Sequence, residues 1–397
     1  MNISIPENVM TALGILGENG YSAYAVGGCV RDSLLGNKPD DWDICTSALP
    51  EQTMQCFEKY RVIPTGVKHG TITVIIEKPL EITTFRIDGD YLDNRRPSEV
   101  LFTPKLEDDL CRRDFTVNAM ALGADGEITD LYGGKEDLEA KVIRCVGCAE
   151  TRFDEDALRI MRALRFASVL RFEIESETAK AILAKKNLLK NIAAERIVKE
   201  FTKLLGGNCA DILSGYGEVI KVFLPLACFS ADTLELIKSS PSDPLLRLAI
   251  LLRNTPADEA EKLLRELKYD NRTLKYIALM LNTFGMNLSD SRPYVKRLIN
   301  RYGEEETKQV ADFFLYTGRI DNELYTQITD TVADIIEKGE CCTLSKLAVK
   351  GSDIAELGIC PQNKIGKVLY ALLEKVMDNE CENEKNALIH LAENLIY

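Results

Sequence analysis

The sequence predicts an α+β protein, strand-bearing over its first 145 or so residues and helical from there to its end. Three observations carry this. Short β-branched or alternating runs recur in the first part: "YSAYAV", "DWDICT", "GTITVIIE" and "LEITTFRI". Afterwards apolar residues return every three or four positions, in "DEDALRIMRALRFASVL", "AKAILAKKNLLKNI", "PLLRLAILLR", "RTLKYIALMLNTF" and "IGKVLYALLEKVM". No fixed-period repeat or low-complexity tract interrupts that part, so it reads as a bundle rather than a solenoid. At 397 residues the chain exceeds what one core serves. Boundaries near about 146, 206 and 300 divide it into 1–145, 146–205, 206–300 and 301–397.

With 46% hydrophobic residues the chain can fill several cores, which excludes large-scale disorder. No apolar run approaches the roughly 18 residues of a membrane span, and "MNISIPENVM" lacks the basic-then-apolar layout of a signal peptide. The expectation is a soluble, cytoplasmic protein without a membrane partner. Twelve cysteines scattered along so long a chain read as reduced thiols. Cys145 and Cys148 form one CxxC, but a structural zinc site needs four ligands and no second pair stands at suitable spacing. The net charge of −13 argues against a nucleic-acid partner for the chain as a whole. Residues 151–205 differ: twelve Lys/Arg face eight Asp/Glu, a balance of +4. A basic segment on an acidic body fits an RNA contact confined to one face, or an ordinary solvated helix surface.

Taken in order, "YAVGGCVRDSLLG" runs strand, Gly27-Gly28, helix. The glycines let the backbone approach a ligand, the helix start offers N–H groups to phosphate, and Arg31 adds a charged donor. Alone, the stretch is also what a tight strand-to-helix turn looks like. In an extended "DDWDI", side chains alternate, so Asp41 and Asp43 share one face while Trp42 and Ile44 turn into a core; Asp40 reads as a solvated turn residue. Two converging carboxylates repel unless a cation neutralises them, and an oxygen-only pair beside a phosphate loop suits Mg²⁺. A further ligand for a two-metal phosphoryl-transfer site could come from Glu81 in "EITTFR", which equally fits an exposed strand glutamate.

Six stretches then match a known family in order: "AVGGCVRDSLLGNKPDDWDICTSALP", "TGVKHGTITV", "EITTFRIDGDYLDNRRPSEVLF", "LEDDLCRRDFTVNAMA", "DLYGGKEDLEAKVIRCVG" and "RFDEDALRIMRALRFAS". Together they resemble the bacterial class II tRNA nucleotidyltransferases, the CCA-adding enzymes, and "AAERIVKEFTKLL" with the tail stretch "LAVKGSDIAELGICPQNKIGKVLYALLEKV" extends the likeness over most of the chain. The resemblance implies a head similar to DNA polymerase beta, then helical neck, body and tail regions that hold the tRNA acceptor arm. It implies that the tRNA 3′-hydroxyl attacks the α-phosphate of CTP or ATP, with Asp41 and Asp43 holding two Mg²⁺ ions and pyrophosphate leaving. Gly28 and Arg31 match the family's triphosphate contacts, Arg113 a nucleotide-binding arginine, and Asp114 and Asn118 residues near the sugar.

On a helix, Asp156 and Arg159 of "EDALR" lie side by side, one acceptor beside one donor. Cytosine and adenine both present an amino donor next to a ring-nitrogen acceptor, so this pair suits both, whereas uracil and guanine reverse the order. Such mismatches can discriminate by roughly 10⁴. The plain alternative is a surface salt bridge. The resemblance assigns Arg162 and Arg165 to nucleotide binding as well, although at 100° per residue Arg165 falls about half a turn from Asp156.

Sister enzymes share the head, so a poly(A) polymerase and relatives adding only CC or only A are the alternatives. "DGDYLDNRRPSEVLF" matches the flexible loop associated with the final A, and "VIPTGVKHGTITV" the CCA-adding form. His69, in the "KHGT" turn, reads as loop-stabilising, and with His390 as the only other histidine a phosphohydrolase domain is excluded. Cys29, Cys148 and "ICPQNKIG" depart from the family pattern, which puts the tail's phosphate contacts in doubt. A non-catalytic RNA-binding chain should have lost Asp41, Asp43 and Arg113, and the glycine spacing is wrong for a Rossmann oxidoreductase. The function expected is template-independent addition and repair of the tRNA 3′-terminal CCA.

Overall fold

The computed structural model describes residues 3–88, 100–359 and 361–394. Most of the expected flexible loop, residues 89–99, and Cys360 of "ICPQNKIG" lie outside the described residues. Two compact units divide the chain. One comprises Met1–Leu234, Ser242–Pro244 and Lys262–Asp270, the other Glu235–Pro241, Leu245–Glu261 and Asn271–Tyr397.

The first unit opens with α1 (Glu7–Glu18), whose buried Val9, Ala12, Leu13 and Leu16 follow the helical period and pack toward β1 (Ala23–Val26). Next come α2 (Gly28–Leu34), β2 (Asp43–Thr46) and α3 (Pro50–Cys56), the last begun by a proline at its first position. Strands β3 (Arg61–Gly66), β4 (Thr71–Ile76) and β5 (Lys78–Thr84) form an antiparallel meander. A hairpin of β6 (Arg86–Asp88) and β7 (Val100–Phe102) leads to α4 (Leu106–Cys111) and a short helical turn, Thr116–Asn118. Then follow β8 (Met120–Leu122), β9 (Ile128–Asp130), α5 (Gly134–Ala140) and β10 (Val142–Ile143).

Among the described residues the main sheet runs β3-β4-β5-β2-β1-β8-β9, antiparallel except where β2 meets β5. One face buries Val26, Cys45, Phe85 and Ala121 against Leu110 of α4. Helix α1 packs against β1, and α3 against β4 and β5. Fully burying a side chain such as Phe85 stabilises by roughly 1.5–3 kcal/mol. Strand β2 thus sits mid-sheet, clamped by β1 and β5, a stiff platform for whatever its first residue presents. The four strand-like runs of the sequence appear here. The three-residue strands β8 and β9 are too short to display alternation, and β3 has an irregular pattern with Pro64, tolerable on a sheet edge.

Past the sheet, α6 (Ala149–Glu155) and α7 (Leu158–Leu170) correct the expectation of one continuous helix over "EDALR". Asp156 stands between them with an extended backbone, φ −134° and ψ 101°. Its Oδ1 accepts the N–H of Leu158 at 3.0 Å, satisfying one of the free donors at the start of α7. The two-residue strand β11 (Glu173–Ile174) pairs parallel with β10, and α8 (Ser176–Lys185), α9 (Ala194–Leu205) and α10 (Ala210–Ile220) follow. Glu175 caps α8 by accepting the N–H of Glu177 and Thr178. Helix α7 packs along α9, fixed by a bond from the Ser168 hydroxyl to the Leu204 carbonyl, 2.8 Å.

Helices continue as α11 (Ala231–Ser239), α12 (Pro244–Leu252), α13 (Ala257–Glu266), α14 (Asn271–Thr283), α15 (Arg292–Tyr302), α16 (Glu304–Tyr316), α17 (Asn322–Glu337), α18 (Gly351–Glu356), α19 (Ile365–Met377) and α20 (Lys385–Glu393). Within the second unit Val295 and Ile299 of α15 pack on Val332 and Ile335 of α17. Lys296, buried on α15, is neutralised by Glu340 at 2.9 Å. A separate core joins Val368, Leu372 and Val376 of α19 to Ile354 of α18 and Leu388 of α20. Among the described residues no helix is long and apolar enough to cross a membrane.

Candidate active site

The turn from β1 into α2 brings the backbone to the mouth of a cleft. Gly27 has φ +80°, a conformation costly for any residue with a side chain, and a Cβ there would lie 3.2 Å from Nη1 of Arg113. Gly28 makes no such demand, since a Cβ on it would rest at an ordinary 3.6 Å from Nη2 of Arg31. Arg31, on the same short helix, is buried and committed: Nε donates to Asp32 at 2.8 Å and Nη1 to Oδ1 of Asn118 at 2.7 Å.

Asp43 is the first residue of β2, and exposure alternates around it as the sequence predicts. Trp42 and Ile44 are buried, Asp41 and Asp43 exposed. The parallel register places Glu81 of β5 opposite Asp43, so the two share a face. Desolvation, then the charge of Glu81, pushes the Asp43 carboxyl above its ordinary value; Arg113 opposes this and Asp41 adds to it. These carboxylates therefore carry more negative charge than the neighbouring arginine offsets, and an oxygen-donor set of this kind fits a divalent cation. The fit has two qualifications in geometry. Asp41 lines a neighbouring hollow rather than the main cleft, Asp40 lines both, and among the described residues no three His, Cys, Asp or Glu side chains come together as a metal cage. Glu81 is a charged neighbour of Asp43 that does not close a three-carboxylate set.

Arg113 follows α4, where Asp109 is fully buried and accepts from Arg112 Nη2 at 2.7 Å and Arg113 Nη2 at 3.0 Å. Burial works to raise the Asp109 carboxyl, but the two guanidinium groups outweigh it and hold it below the usual range. Asp109 thereby aims both arginines at the cleft. Nε of Arg113 remains buried without a hydrogen-bond partner among the described residues.

Asp114 and Asn118 join the strand-bearing part to α7. Asn118 accepts from Arg31 with Oδ1 and donates Nδ2 to Oδ1 of Asp114 at 3.2 Å; Oδ2 of Asp114 accepts Nε of Arg162 at 2.7 Å. Four side chains stand in a row. Burial alone would raise the Asp114 carboxyl, but the Arg162 charge, bonds from Asn118 and Arg162, and the Arg159 charge bring it down to about 2.

The expected Asp156–Arg159 pair is not formed. Because the chain breaks at Asp156, Arg159 points elsewhere: Nη1 meets Oε2 of Glu155 at 2.6 Å and Nη2 the carbonyl of Arg112 at 2.8 Å. Oδ2 of Asp156 accepts instead from Nη2 of Arg196 on α9, at 3.1 Å. Both residues still line the cleft, as do Arg162 and Arg165. The half-turn offset of Arg165 from Asp156 loses its meaning, since the two are not on one helix. Nε of Arg165 lies 3.1 Å from Glu200 of α9.

Sequence reasoning passed over three residues. Asp109 sits three and four positions before its arginines, a helical spacing that was legible. Arg196 was counted in the basic segment 151–205 and otherwise lay in a stretch read for family likeness. Phe166 reads as core, yet the guanidinium groups of Arg165, Arg31 and Arg162 gather over its ring at 4.0, 5.0 and 5.4 Å. The cleft encloses about 830 Å³ and is lined by eight Arg/Lys side chains against four aspartates, room and charge for a polyanionic nucleotide.

The mixed sheet thus sets an acidic strand end beside an arginine-lined cleft. The poly A polymerase head domain family matches residues 23–144, and a tRNA nucleotidyltransferase domain 2 family matches 244–392. The chain is 36% identical to a CCA-adding enzyme of Lactobacillus delbrueckii subsp. bulgaricus, over 98% of each chain, and 37% identical to that of Geobacillus stearothermophilus, over 95% of each. A crystal structure of a Bacillus stearothermophilus CCA-adding enzyme in complex with CTP superposes with a TM-score of 0.82 at 31% identity, covering 98% of both chains. A Thermotoga maritima CCA-adding enzyme complexed with tRNA shares the fold at 20% identity and a TM-score of 0.68, over 98% of this chain and 96% of that one. The chain belongs to the CCA-adding enzyme family, the tRNA nucleotidyltransferases.

Proposed function

We propose that the protein adds and repairs the 3′-terminal CCA of tRNA, using CTP and ATP without a nucleic-acid template. The observation that carries this is the continuity of the cleft: Asp43 at one part of its lining, Asp156 at another, and arginines between. In the reaction the terminal 3′-oxygen bonds to the α-phosphorus of the nucleotide, the bond from that phosphorus to the β-bridging oxygen breaks, and pyrophosphate leaves with the electron pair. Asp41 and Asp43 would hold Mg²⁺, which when bound activates the hydroxyl and neutralises the leaving group, with Glu81 as an adjoining carboxylate. The chain supplies orientation and charge. Arg113, steered by Asp109, and Arg31 beside Gly28 face the triphosphate; Asp114 and Asn118 lie where a sugar would sit; Arg162 and Arg165 spread positive charge along the cleft. The Asp156 carboxylate accepts the amino group of cytosine or adenine and meets a repelling carbonyl in uracil or guanine, with Arg159 in the wall behind it.

The same reading assigns 1–145 to the catalytic head, 146–205 to the neck that recognises the base, 206–300 to the body and 301–397 to a tail contacting tRNA. To test it, the purified protein is incubated with Mg²⁺ and tRNA lacking CCA, CA or A, each nucleotide is supplied singly, and the 3′ ends are sequenced. Two C residues on the first substrate and one A on the last are expected. Runs of A on any RNA would favour a poly(A) polymerase, and a product stopping at CC, or A added without CTP use, a partial-activity relative. Asp43→Ala should cut incorporation by roughly 10³-fold with a melting temperature no lower than wild type, since a carboxyl raised by burial and by Glu81 does not stabilise the fold in its charged form.

A further inference from the structure

Helix α9 supplies two charged side chains to the α6–α7 side of the cleft. Arg196 holds Asp156, and Glu200, one turn on, holds Arg165. The Asp156 carboxylate is tethered at both oxygens: Oδ1 by the N–H of Leu158 and Oδ2 by Nη2 of Arg196. The first tether is a short-range contact two residues away, and by itself it leaves the carboxylate free to turn about its side-chain bonds. The second spans 40 residues and fixes the turn. Arg159, the nearer arginine in sequence, cannot serve, because its guanidinium is drawn to Glu155 and to the carbonyls of Arg152 and Arg112. Nη1 of Arg196 is buried without a hydrogen-bond partner among the described residues, so this guanidinium is not placed to satisfy its own donors.

We propose that Arg196 is a specificity-determining positioning residue, holding the Asp156 carboxylate so that its remaining lone pairs face the amino group of cytosine or adenine. This rests on the CCA-adding reading above. Selectivity against a carbonyl depends on the acceptor being unable to swing away from it; a carboxylate held only at Oδ1 can rotate and relieve the mismatch. Loss of Arg196 should therefore relax discrimination rather than merely slow the reaction.

The test is single-nucleotide incorporation by the full chain with Mg²⁺, measuring kcat and KM for CTP, ATP, UTP and GTP with wild type, Arg196→Ala and Arg196→Lys. The CTP-over-UTP and ATP-over-GTP ratios of kcat/KM should fall at least about 10-fold in Arg196→Ala, chiefly through KM, and recover to within about 3-fold of wild type in Arg196→Lys, which keeps a charged donor. Ratios within 2-fold or so of wild type in the alanine variant, or no recovery with lysine, overturn the proposal. Should the alanine variant not fold, Arg196→Gln, neutral but still able to donate to Asp156, is judged on its ratios against Arg196→Lys: a lower ratio than lysine supports the role of the charge-assisted tether, and no difference from wild type overturns it. A wild-type chain inert toward CTP and ATP overturns both this and the functional reading, whereas a selective wild type beside an equally selective Arg196→Ala removes Arg196 alone.

Discussion

Replacing Asp114 by asparagine isolates the charge of one buried carboxylate while keeping its shape. The Asp114 carboxyl lies at about 2 against an ordinary 3.8, and each unit corresponds to about 1.4 kcal/mol, so the ionised form contributes about 2 kcal/mol to folding at neutral pH. The folded value is the depressed one. That contribution is therefore complete above pH 4 or so and is lost as the pH falls toward 2; at pH 3 about half remains. Urea unfolding of wild type and Asp114→Asn at both pH values should give a stability gap of about 2 kcal/mol at pH 7, shrinking to about half at pH 3. In melting temperature the neutral-pH gap corresponds to roughly 4–8 °C for a unit of this size. A gap under about 0.5 kcal/mol at pH 7, or one of equal size at both pH values, would refute the claim that the Arg162 and Arg159 charges together with the hydrogen bonds from Asn118 and Arg162 outweigh burial at this site.

Three further outcomes follow from the cleft. Phe166→Leu removes the ring shared by three guanidinium groups, each contact worth about 0.5–1 kcal/mol, and should raise KM for CTP about 10-fold or more, while Phe166→Tyr should stay near wild type. Gly27→Ala forces a Cβ onto a φ of +80° and against Arg113; calorimetry should show about 1–2 kcal/mol lost, together with weakened nucleotide binding. Asp109→Asn strips the counter-charge from Arg112 and Arg113 and should cost about 3–5 kcal/mol by chemical unfolding, the scale of breaking a buried pair.

How much of this was legible beforehand depended on the range of the interaction. Alternation in "DDWDI" needs only nearest neighbours, and the exposed Asp41 and Asp43 flank a buried Trp42 as the pattern demands. Helix α19 coincides with its apolar stripe, "IGKVLYALLEKVM". The break at Asp156 was hidden because helical periodicity on either side is uninterrupted, and an aspartate that ends one helix and starts the next looks like any other in a charged run. The i,i+3 spacing of Asp156 and Arg159 then suggested a pairing that the extended backbone undoes. Partners 35 and 40 residues away, Glu200 for Arg165 and Arg196 for Asp156, leave no local trace, because the packing of α9 on α7 decides them. Phe166 was masked for another reason: a ring that cations cover has the same spacing as one that aliphatic neighbours cover.

Asn118 works as an adaptor between opposite signs. It turns its oxygen to the cation Arg31 and its nitrogen to the anion Asp114, so only one of its two flip states suits both neighbours. An aspartate in its place would set two acceptors against each other, and a leucine would take one hydrogen bond from each charge. The amide thus links an arginine on the helix that follows β1 to an arginine on α7 through a single negative group, with no loop between.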